Sequence, residues 1–377
     1  MKKSVLHLSP YAVFPPTYGG PLRTHNICRH LATHSRVDLF CQQVRRQDIG
    51  RSFSPQLRQL APGYFEFCPR NVLSLATYAG FARLGCPAFV QSEILSVSAA
   101  RWLRERLAAA SVVNVEHPWQ FRWVYAQVGG RKPIVLTAHN IEAELIDSYH
   151  IRAPRPIASW LRAEALRREA HAMRNATRIF TMSPENSQAI MDLYGVEPSR
   201  CVVIPNGVDC ARFSPVDTAR RRARQEALGL AGKFVILFAG SSHGPNREAV
   251  ENIIEWAKAW PDDTVRFLVA GSIGHAFAHV QNPRVVFTGA VDDIVPCFEA
   301  ADMAVNPLVS GSGTTLKQAE YMAMGLPSVA TSIGARGMGS AFVRGNNLNI
   351  WVGWVFLRLL NTGRKLAKST GLPSFAA

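Results

Sequence analysis

Short apolar runs alternate with helical stretches along most of the chain, and the alternation starts afresh near residue 233. Alternating strands and helices at this spacing are typical of α/β domains with a parallel sheet. The pattern therefore predicts two such domains. Predicted strands of the first are residues 4–9, 37–41, 112–116, 134–138 and 178–183, and those of the second are 233–240, 267–271, 285–289 and 303–306.

The most informative pattern follows the last predicted strand. A glycine and serine loop at 310–313 leads into apolar positions at helical spacing from Leu316. A helix that starts after such a loop leaves free backbone N–H groups, which bind anions. Lys317 and Glu320 lie three residues apart and project from one face of that helix. The pattern predicts a phosphate site with a lysine and a hydroxyl-binding carboxylate. A solvated Lys–Glu pair on an ordinary turn is the alternative.

Polar residues also follow the strands of the first domain. His117 comes directly after one strand and His139 ends the next, and carboxyl ends of parallel strands share one edge of a sheet. Near the start, Gly19 and Gly20 open a helix after the first strand. Arg23 follows one turn later and is a weaker candidate for the same anion, or an ordinary exposed arginine. Residues 44–100 carry too little pattern for any prediction.

Composition bounds the answer. The chain has 377 residues, 47% hydrophobic and 18% charged, which suits two globular domains. Its net charge of +15 fits phosphorylated small molecules or an anionic membrane surface, or is simply a basic exterior. No nucleic-acid-binding module is present. The seven cysteines show no metal-ligand spacing, which favours reduced thiols in the cytoplasm. No signal peptide or run of about 20 apolar residues is found.

The sequence GSGTTLKQAEYMAMGLP at 311–327, followed by Ala330-Thr331 and by Gly-Ala-Arg-Gly at 334–337, resembles the donor-binding signature of retaining glycosyltransferases of family 4. That family has the GT-B fold, in which two Rossmann-like domains face each other across a cleft. The sequence Pro-Asn-Gly-Val-Asp at 205–209 matches the family's hinge. We therefore expect an acceptor-side domain at residues 1–205 and a nucleotide-sugar domain at 206–377.

The resemblance also implies residue roles. The family's first arginine and first glutamate are replaced here by Ser241 and Ser312, so Lys317 and Arg247 would share the pyrophosphate. The histidine near the reacting sugar matches His139, which we favour over His117. The expected catalytic residues are His139, Lys317 and Glu320; the expected donor-binding residues are Gly19, Gly20, Arg247, Gly313, Thr314, Thr315 and Leu316; no metal ligand is expected.

The resulting hypothesis is retaining sugar transfer from a nucleotide diphosphate donor to a saccharide or lipid-linked acceptor, in the synthesis of cell-surface polysaccharide or glycolipid. No Asp-x-Asp motif is present, so neither metal nor cofactor is expected, the nucleotide sugar being a substrate. The expected location is the cytoplasm, with peripheral contact to the anionic inner face of the plasma membrane, and no nucleic acid partner.

Two alternatives stay open. A nucleotide-sugar epimerase can share the two-domain fold. A catalytically impaired, truncated homologue is the other, because residues 339–377 depart from the family. Residues 351–360 are almost all apolar, and the basic stretch that follows has no family counterpart. We expect this tail to be a frameshifted end, and a divergent end with a buried helix at 351–360 is the alternative.

Overall fold

The computed structural model describes residues 3–16, 19–42, 56–69, 80, 83, 95, 97–145, 154–242, 244–311, 314–338, 343–345 and 348–351. The chain divides into two compact units, residues 1–205 and 206–377. Both are α/β units built around a mainly parallel sheet. Of the helices in the described residues, none is long and apolar enough to cross a membrane.

The first unit is organised around an eight-stranded sheet, counted over the described residues. Its strands are β1 (Ser4–Ser9), β2 (Arg36–Cys41), β3 (Gln56–Ala61), β4 (Tyr64–Cys68), β5 (Val112–Glu116), β6 (Ile134–Thr137), β7 (Arg178–Thr181) and β8 (Cys201–Val203). Their order is β3-β4-β2-β1-β5-β6-β7-β8. Only the β3–β4 pair is antiparallel among these, so the other strands bring their carboxyl ends to one edge.

Helices cover this sheet. They are α1 (Gly19–Leu31), α2 (Val97–Ala109), α3 (Phe121–Val128), α4 (Glu142–Leu145), α5 (Arg155–Asn175) and α6 (Pro184–Tyr194), with short 3-10 turns at Pro118–Gln120 and Pro198–Arg200. Ser183 caps α6, since its side chain accepts a hydrogen bond from the Asn186 N–H at the start of that helix. Leu8, Val115 and Leu136 are buried in the core between sheet and helices.

The arginine-rich helix α5 also carries a buried carboxylate. Its Glu169 is fully buried and accepts hydrogen bonds from the backbone N–H groups of Glu142 at 2.7 Å and Ala143 at 2.8 Å. The Tyr194 hydroxyl donates to the same carboxylate at 2.6 Å. Because these N–H groups open the one-turn helix α4, Glu169 fixes the segment that follows β6.

The second unit has a seven-stranded sheet within its described residues. The strands are β9 (Phe234–Ala239), β10 (Val265–Ala270), β11 (Val285–Gly289), β12 (Met303–Asn306), β13 (Ser328–Thr331), β14 (Val343–Gly345) and β15 (Leu348–Trp351), in the order β11-β10-β9-β12-β13-β15-β14. Its helices are α7 (Thr218–Ala227), α8 (Gly244–Ala259), α9 (Val295–Glu299) and α10 (Leu316–Ala323), with a 3-10 segment at Ser272–Phe277.

The sequence of the central strand β9 is an unbroken apolar run because both faces of the strand are buried. Val235 and Leu237 face one core cluster, whereas Ile236 and Phe238 face another. Side chains alternate between the two faces of a strand, so a strand covered by helices on both sides needs apolar residues at every position. The same burial identifies β9 from sequence.

Some predictions differ from the structure. The hairpin β3–β4 and the start of helix α2 lie in residues 44–100, where no element is predicted. Helix α8 begins at Gly244, directly after the loop that follows β9, and α9 is limited to Val295–Glu299, with Pro296 in its first turn. In the unusual tail, β15 extends the sheet by antiparallel pairing with β13, and β14 pairs antiparallel with β15. Residues 352–377, and with them most of the predicted apolar segment, lie outside the described residues.

Candidate functional site

Lys317 lies in the first turn of α10 and is half-buried. Its Nζ donates a hydrogen bond to Asn246 Oδ1 at 2.8 Å and lies 4.0 Å from the ring centroid of Phe238. Asn246 belongs to the first turn of α8 and donates its own amide N–H to the Ser241 carbonyl at 2.9 Å. The ammonium group is therefore held between two helix N-termini, at the carboxyl edge of the second sheet.

Lys317 and Glu320 are both perturbed by burial. Burial lowers the pKa of Lys317 to about 7, although the Glu320 carboxylate acts in the opposite direction. Burial likewise raises the pKa of Glu320 to about 7, against the effects of Lys317 and Arg212. Lys317 turns to Asn246 and forms no ion pair with Glu320 among the described residues, so the solvated-pair alternative does not fit. Perturbed groups of this kind are typical of functional sites.

The N-cap residue of α10 does not cap the backbone N–H groups at the start of the helix. Thr315 occupies the N-cap position but makes no capping hydrogen bond. Its hydroxyl instead accepts from Asn306 Nδ2 at 3.1 Å and donates to the Gly334 carbonyl at 3.2 Å. Thr314 is held by Asn206, whose Nδ2 donates to the Thr314 hydroxyl at 2.6 Å. The structure places Leu316 as the first helical residue, and Gly313 lies outside the described residues.

Gly334, in the last part of the family-like sequence, packs against the backbone of β12. A Cβ atom at this position would lie 2.2 Å from the Asn306 carbonyl oxygen. Asn306 in turn donates its amide N–H to the Gly334 carbonyl at 2.8 Å. Only glycine allows this approach, which brings the 332–337 turn beside the start of α10.

Arg247 is exposed, and its guanidinium lies over the ring of Phe277, 5.6 Å from the centroid. Arg247 follows Asn246 in the sequence, but of these two residues it is Asn246 that contacts Lys317. A role for Arg247 on a pyrophosphate stays a prediction. Asn246 is the residue that sequence reasoning missed, because an asparagine at a helix start is most often a local cap.

In the first unit, His139 follows β6 and its Nε2 hydrogen-bonds the Glu116 carboxylate. Glu116 is the last residue of β5 and is 1% exposed. Its other oxygen lies 2.5 Å from Nε2 of His7 on β1. Adjacent parallel strands thus bring together a buried histidine, a buried glutamate and the predicted site histidine. The sequence alone gives no sign of these partners for Glu116, because they come from β1 and from the residues after β6, the two neighbours of β5 in the sheet.

The charges of these groups follow from their neighbours. Burial raises the pKa of Glu116, but His139 and His7 lower it by more, so the carboxylate is ionised. Burial opposes protonation of His7, yet Cys28 and Glu116 raise its pKa to about 10. The pKa of His139 is lowered because burial outweighs the attraction of Glu116. His139 is therefore a neutral imidazole.

An ionised carboxylate can only accept hydrogen bonds, so Nε2 of His139 must carry the proton. The other ring nitrogen, Nδ1, is then left unprotonated and can accept a hydrogen bond. His139 retains some exposure, with 11% of its side chain accessible. The arrangement fixes one tautomer of a histidine at the carboxyl edge of the sheet.

His117 is a close neighbour of His139. The two rings stack with centroids 4.6 Å apart and an interplanar angle of 14°. His117 has a φ of 63°, which is strained for a residue with a side chain, and its Nδ1 lies 3.1 Å from Glu142 Oε1. Strain at a polar residue beside a candidate site is a common feature of functional positions.

The glycine pair lies at the start of α1, which begins at Gly19. At Gly20 a Cβ atom would lie 2.6 Å from the Tyr11 hydroxyl oxygen, so glycine here allows the tyrosine to pack. The proposed approach of a phosphate to these two residues stays a prediction. Arg23 is 8% exposed and donates to the carbonyls of Ile204 at 2.6 Å and Pro205 at 2.9 Å. It fastens α1 to the end of the first unit.

Comparison with known proteins matches the chain to two family models. Residues 19–212 match Glycosyltransferase Family 4, and residues 233–350 match Glycosyl transferases group 1. The second match continues beyond Gly337, where the resemblance found by sequence reading ends.

Similar curated proteins include the D-inositol 3-phosphate glycosyltransferase of Mycobacterium sp. (strain KMS). It is 27% identical over 354 residues, covering 85% of this chain and 73% of the relative. The D-inositol 3-phosphate glycosyltransferase of Acidothermus cellulolyticus is 32% identical over 186 residues, covering 44% of this chain and 40% of that one.

Solved structures show the same fold. Anabaena Alr3699/HepE in complex with UDP and glucose superposes with a TM-score of 0.63 at 16% identity, covering 98% of this chain and 91% of that one. WaaG, a glycosyltransferase involved in lipopolysaccharide biosynthesis, superposes with a TM-score of 0.60 at 16% identity. The superposition covers 87% of this chain and 81% of WaaG. The first family model alone spans half of the chain. The chain therefore belongs to glycosyltransferase family 4, and it is a glycosyltransferase with the two Rossmann-like domains of the GT-B fold.

Proposed function

We propose that the chain transfers a sugar from a nucleotide-diphosphate-sugar to an acceptor hydroxyl, with retention of anomeric configuration. The observation that carries the proposal is the Lys317 ammonium held between the first turns of α8 and α10. A diphosphate is the chemical group that suits a lysine and two helix N-termini. The solved structures of Anabaena Alr3699/HepE with UDP or UDP-glucose support a nucleotide donor of this kind.

Lys317 would stabilise the departing diphosphate. Burial keeps its pKa near 7 in the free protein, and an arriving dianion favours the charged form. A preorganised donor that meets developing negative charge supplies roughly 3–4 kcal/mol. The backbone N–H groups at Thr315 and Leu316 would share this task, with Gly313, Thr314 and Arg247 as further donor-binding residues and Gly19 and Gly20 as the backbone contribution of the first unit.

We assign the sugar hydroxyls to two residues. His139 would accept a hydrogen bond from a sugar hydroxyl at Nδ1, because its contact with Glu116 keeps the ring proton on Nε2. Glu320 would accept hydrogen bonds from hydroxyls of the donor. Neither step needs a metal ion, since the cation at the diphosphate is the lysine.

The acceptor is proposed to be a saccharide or a lipid-linked saccharide in the synthesis of cell-surface polysaccharide or glycolipid. The net charge of +15 supports a cytoplasmic chain that contacts an anionic membrane peripherally. Sedimentation with vesicles that contain anionic lipid, compared with neutral vesicles, tests this contact.

The central experiment incubates the purified chain with UDP-, GDP- and ADP-sugars, each with and without acceptors, in the absence of added divalent metal. We expect release of nucleoside diphosphate only with acceptor, and proton NMR should show the donor's anomeric configuration in the product. Release without acceptor, or an epimerised donor, would support the epimerase alternative, and an inverted product would contradict retention. Absence of turnover with every donor would favour the inactive homologue.

A matched pair of lysines tests the assignment of the cation. Lys317→Ala should abolish turnover. Lys258→Ala removes an exposed lysine at the other end of α8, paired with Glu255 at 2.7 Å, and should leave turnover unchanged. Equal losses in the two variants would contradict a specific role for Lys317.

A further inference from the structure

Three side chains that suit a soft divalent cation lie together at the carboxyl edge of the first sheet. Cys41 is the last residue of β2, and Cys68 is the last residue of the neighbouring strand β4. Phe40 pairs with Phe67, so the next residues along, Cys41 and Cys68, lie side by side on one face. Glu66 lies two residues before Cys68 and therefore on the same face of β4. One ligand atom from each of the three residues lies within 4.8 Å of the others.

We propose that Cys41, Glu66 and Cys68 form a binding site for a zinc-like divalent cation. The site is separate from the residues assigned to sugar transfer. Nothing in the cysteine spacing along the sequence indicates it, because the ligands come from two strands that are paired only in the folded sheet.

The distances fit tetrahedral zinc coordination. Zinc–sulfur bonds of about 2.3 Å and zinc–oxygen bonds of about 2.1 Å place tetrahedral sulfur and oxygen ligands roughly 3.5 Å apart, and two sulfurs about 3.8 Å apart. The Cys41 Sγ and Glu66 Oε1 atoms are 3.4 Å apart. The Cys68 sulfur completes the set, since the three ligand atoms lie within 4.8 Å of one another.

The ligands are preorganised and have a route to solvent. Cys41 is fully buried and Glu66 is 2% exposed, whereas Cys68 is half-buried and lies at the surface side of the cluster. The backbone N–H of Phe14 donates to Glu66 Oε1 at 3.0 Å and orients the carboxylate. Hydrogen bonds from neighbouring groups to the ligand side chains are common at metal sites. Three protein ligands leave a fourth tetrahedral position for water.

The ligand chemistry selects the ion. Two thiolates favour zinc or cobalt over magnesium and calcium, which prefer oxygen ligands throughout. Without a metal, the Cys41 thiol donates to Glu66 Oε1 at 3.4 Å. A cation binds cysteine as the thiolate, so metal binding should release thiol protons.

Occupation would link the ends of β2 and β4 and, through Glu66, the backbone of Phe14. Phe14 belongs to the segment between β1 and α1, which also contains Tyr11 beside Gly20. A metal here is therefore expected to stabilise the loop that leads into α1.

The experiment uses the full chain, reduced and freed of metal, titrated with Co²⁺. We expect about one Co²⁺ per chain, with sulfur-to-cobalt charge-transfer absorption and the visible bands of a tetrahedral site. Cys41→Ser and Cys68→Ser should each weaken binding at least about tenfold and reduce the charge-transfer band, and their double variant should lose it.

Cysteines away from the cluster provide the control. Cys201→Ser, on the edge strand β8, and Cys210→Ser, with an exposed thiol, should bind Co²⁺ as the unmodified chain does. A charge-transfer band that survives in the double variant overturns the proposal. So does an equal loss of the band in a control variant, or the absence of the band when the unmodified chain is titrated with Co²⁺.

A measurement on the unmodified chain covers the case in which a cysteine variant does not fold. X-ray absorption at the zinc edge of the zinc-loaded chain should show two sulfur and two lighter ligands. A shell of four sulfurs, a shell without sulfur, or loss of the zinc on gel filtration would overturn the proposal.

Discussion

Replacement of Glu116 by glutamine removes one charge and keeps the shape of the side chain. In the native chain the carboxylate faces His139 with one oxygen and His7 with the other, the latter at 2.5 Å. An amide has one oxygen and one NH₂ group, so it can accept from only one of the two rings. When the NH₂ group faces His139, the ring must turn to the tautomer with its proton on Nδ1. That tautomer cannot accept a hydrogen bond from a sugar hydroxyl at Nδ1.

The size of the expected loss in kcat follows from the hydrogen bond that is lost between Glu116 and His139. Hydrogen bonds to a charged group contribute about 1.5–3 kcal/mol, and each 1.36 kcal/mol is tenfold in rate. Glu116→Gln should therefore lower kcat by roughly 10- to 100-fold. The KM for the donor should change little, because Lys317, the proposed cation at the diphosphate, belongs to the second unit. Stability should fall by about 1–3 kcal/mol, since His7 loses its charged partner.

Steady-state kinetics with varied donor, together with thermal unfolding, measures both effects. Glu299→Gln is a suitable control, because Glu299 is 2% exposed and is paired with Arg220 and Arg224 in the second unit. We expect it to lower the melting temperature to a similar extent and to leave kcat unchanged. This comparison separates a specific effect on His139 from a general loss of stability.

A double-mutant cycle gives the decisive result. If Glu116 acts by fixing the tautomer of His139, then His139→Ala combined with Glu116→Gln should lose no more activity than His139→Ala alone. His139→Ala itself should lower kcat more than it weakens donor binding. Losses that multiply in the double variant, or a well-folded Glu116→Gln with normal kcat, would refute the reasoning.

Three further variants concern the second unit. Lys317→Met should raise the melting temperature of the donor-free chain, because burial lowers the pKa of this lysine from 10.5 to about 7. The native chain should lose stability as pH falls from about 10 to about 7, where only the unfolded state is fully protonated, and the variant should lose less. Glu320→Gln should weaken nucleoside diphosphate binding by about 1–3 kcal/mol in isothermal titration. The difference in affinity between the native chain and the variant should become smaller below pH 7, where Glu320 becomes protonated. Gly334→Ala should cost about 1–3 kcal/mol in chemical denaturation, because its Cβ would meet the Asn306 carbonyl at 2.2 Å. Gly207→Ala, which meets nothing within 4 Å, should cost less.

The sequence by itself determined the two α/β units and most of their strands. The run at Phe234–Ala239 is apolar at every position, which only a strand covered on both faces requires. The run at Ser4–Ser9 is shorter, with Val5, Leu6 and Leu8 as its apolar residues. The loop and helix around Lys317 were predictable for the same reason, since glycine, helical spacing and a stop signal are local features. Residues 44–100 were unreadable because β3 and β4 are stabilised by pairing with each other and with β2, which local pattern does not show.

The tertiary structure decided which polar residues meet. Glu116 and His7 are 109 residues apart, and Lys317 and Asn246 are 71 apart, yet each pair is in hydrogen-bond contact. Cys41 and Glu66 come together in the same way, across two parallel strands. Such contacts arise from strand order and register, which are set by how whole elements pack. The charges on Lys317 and His139 depend on burial, and the tautomer of His139 depends on its contact with Glu116; both exist only once the chain has folded.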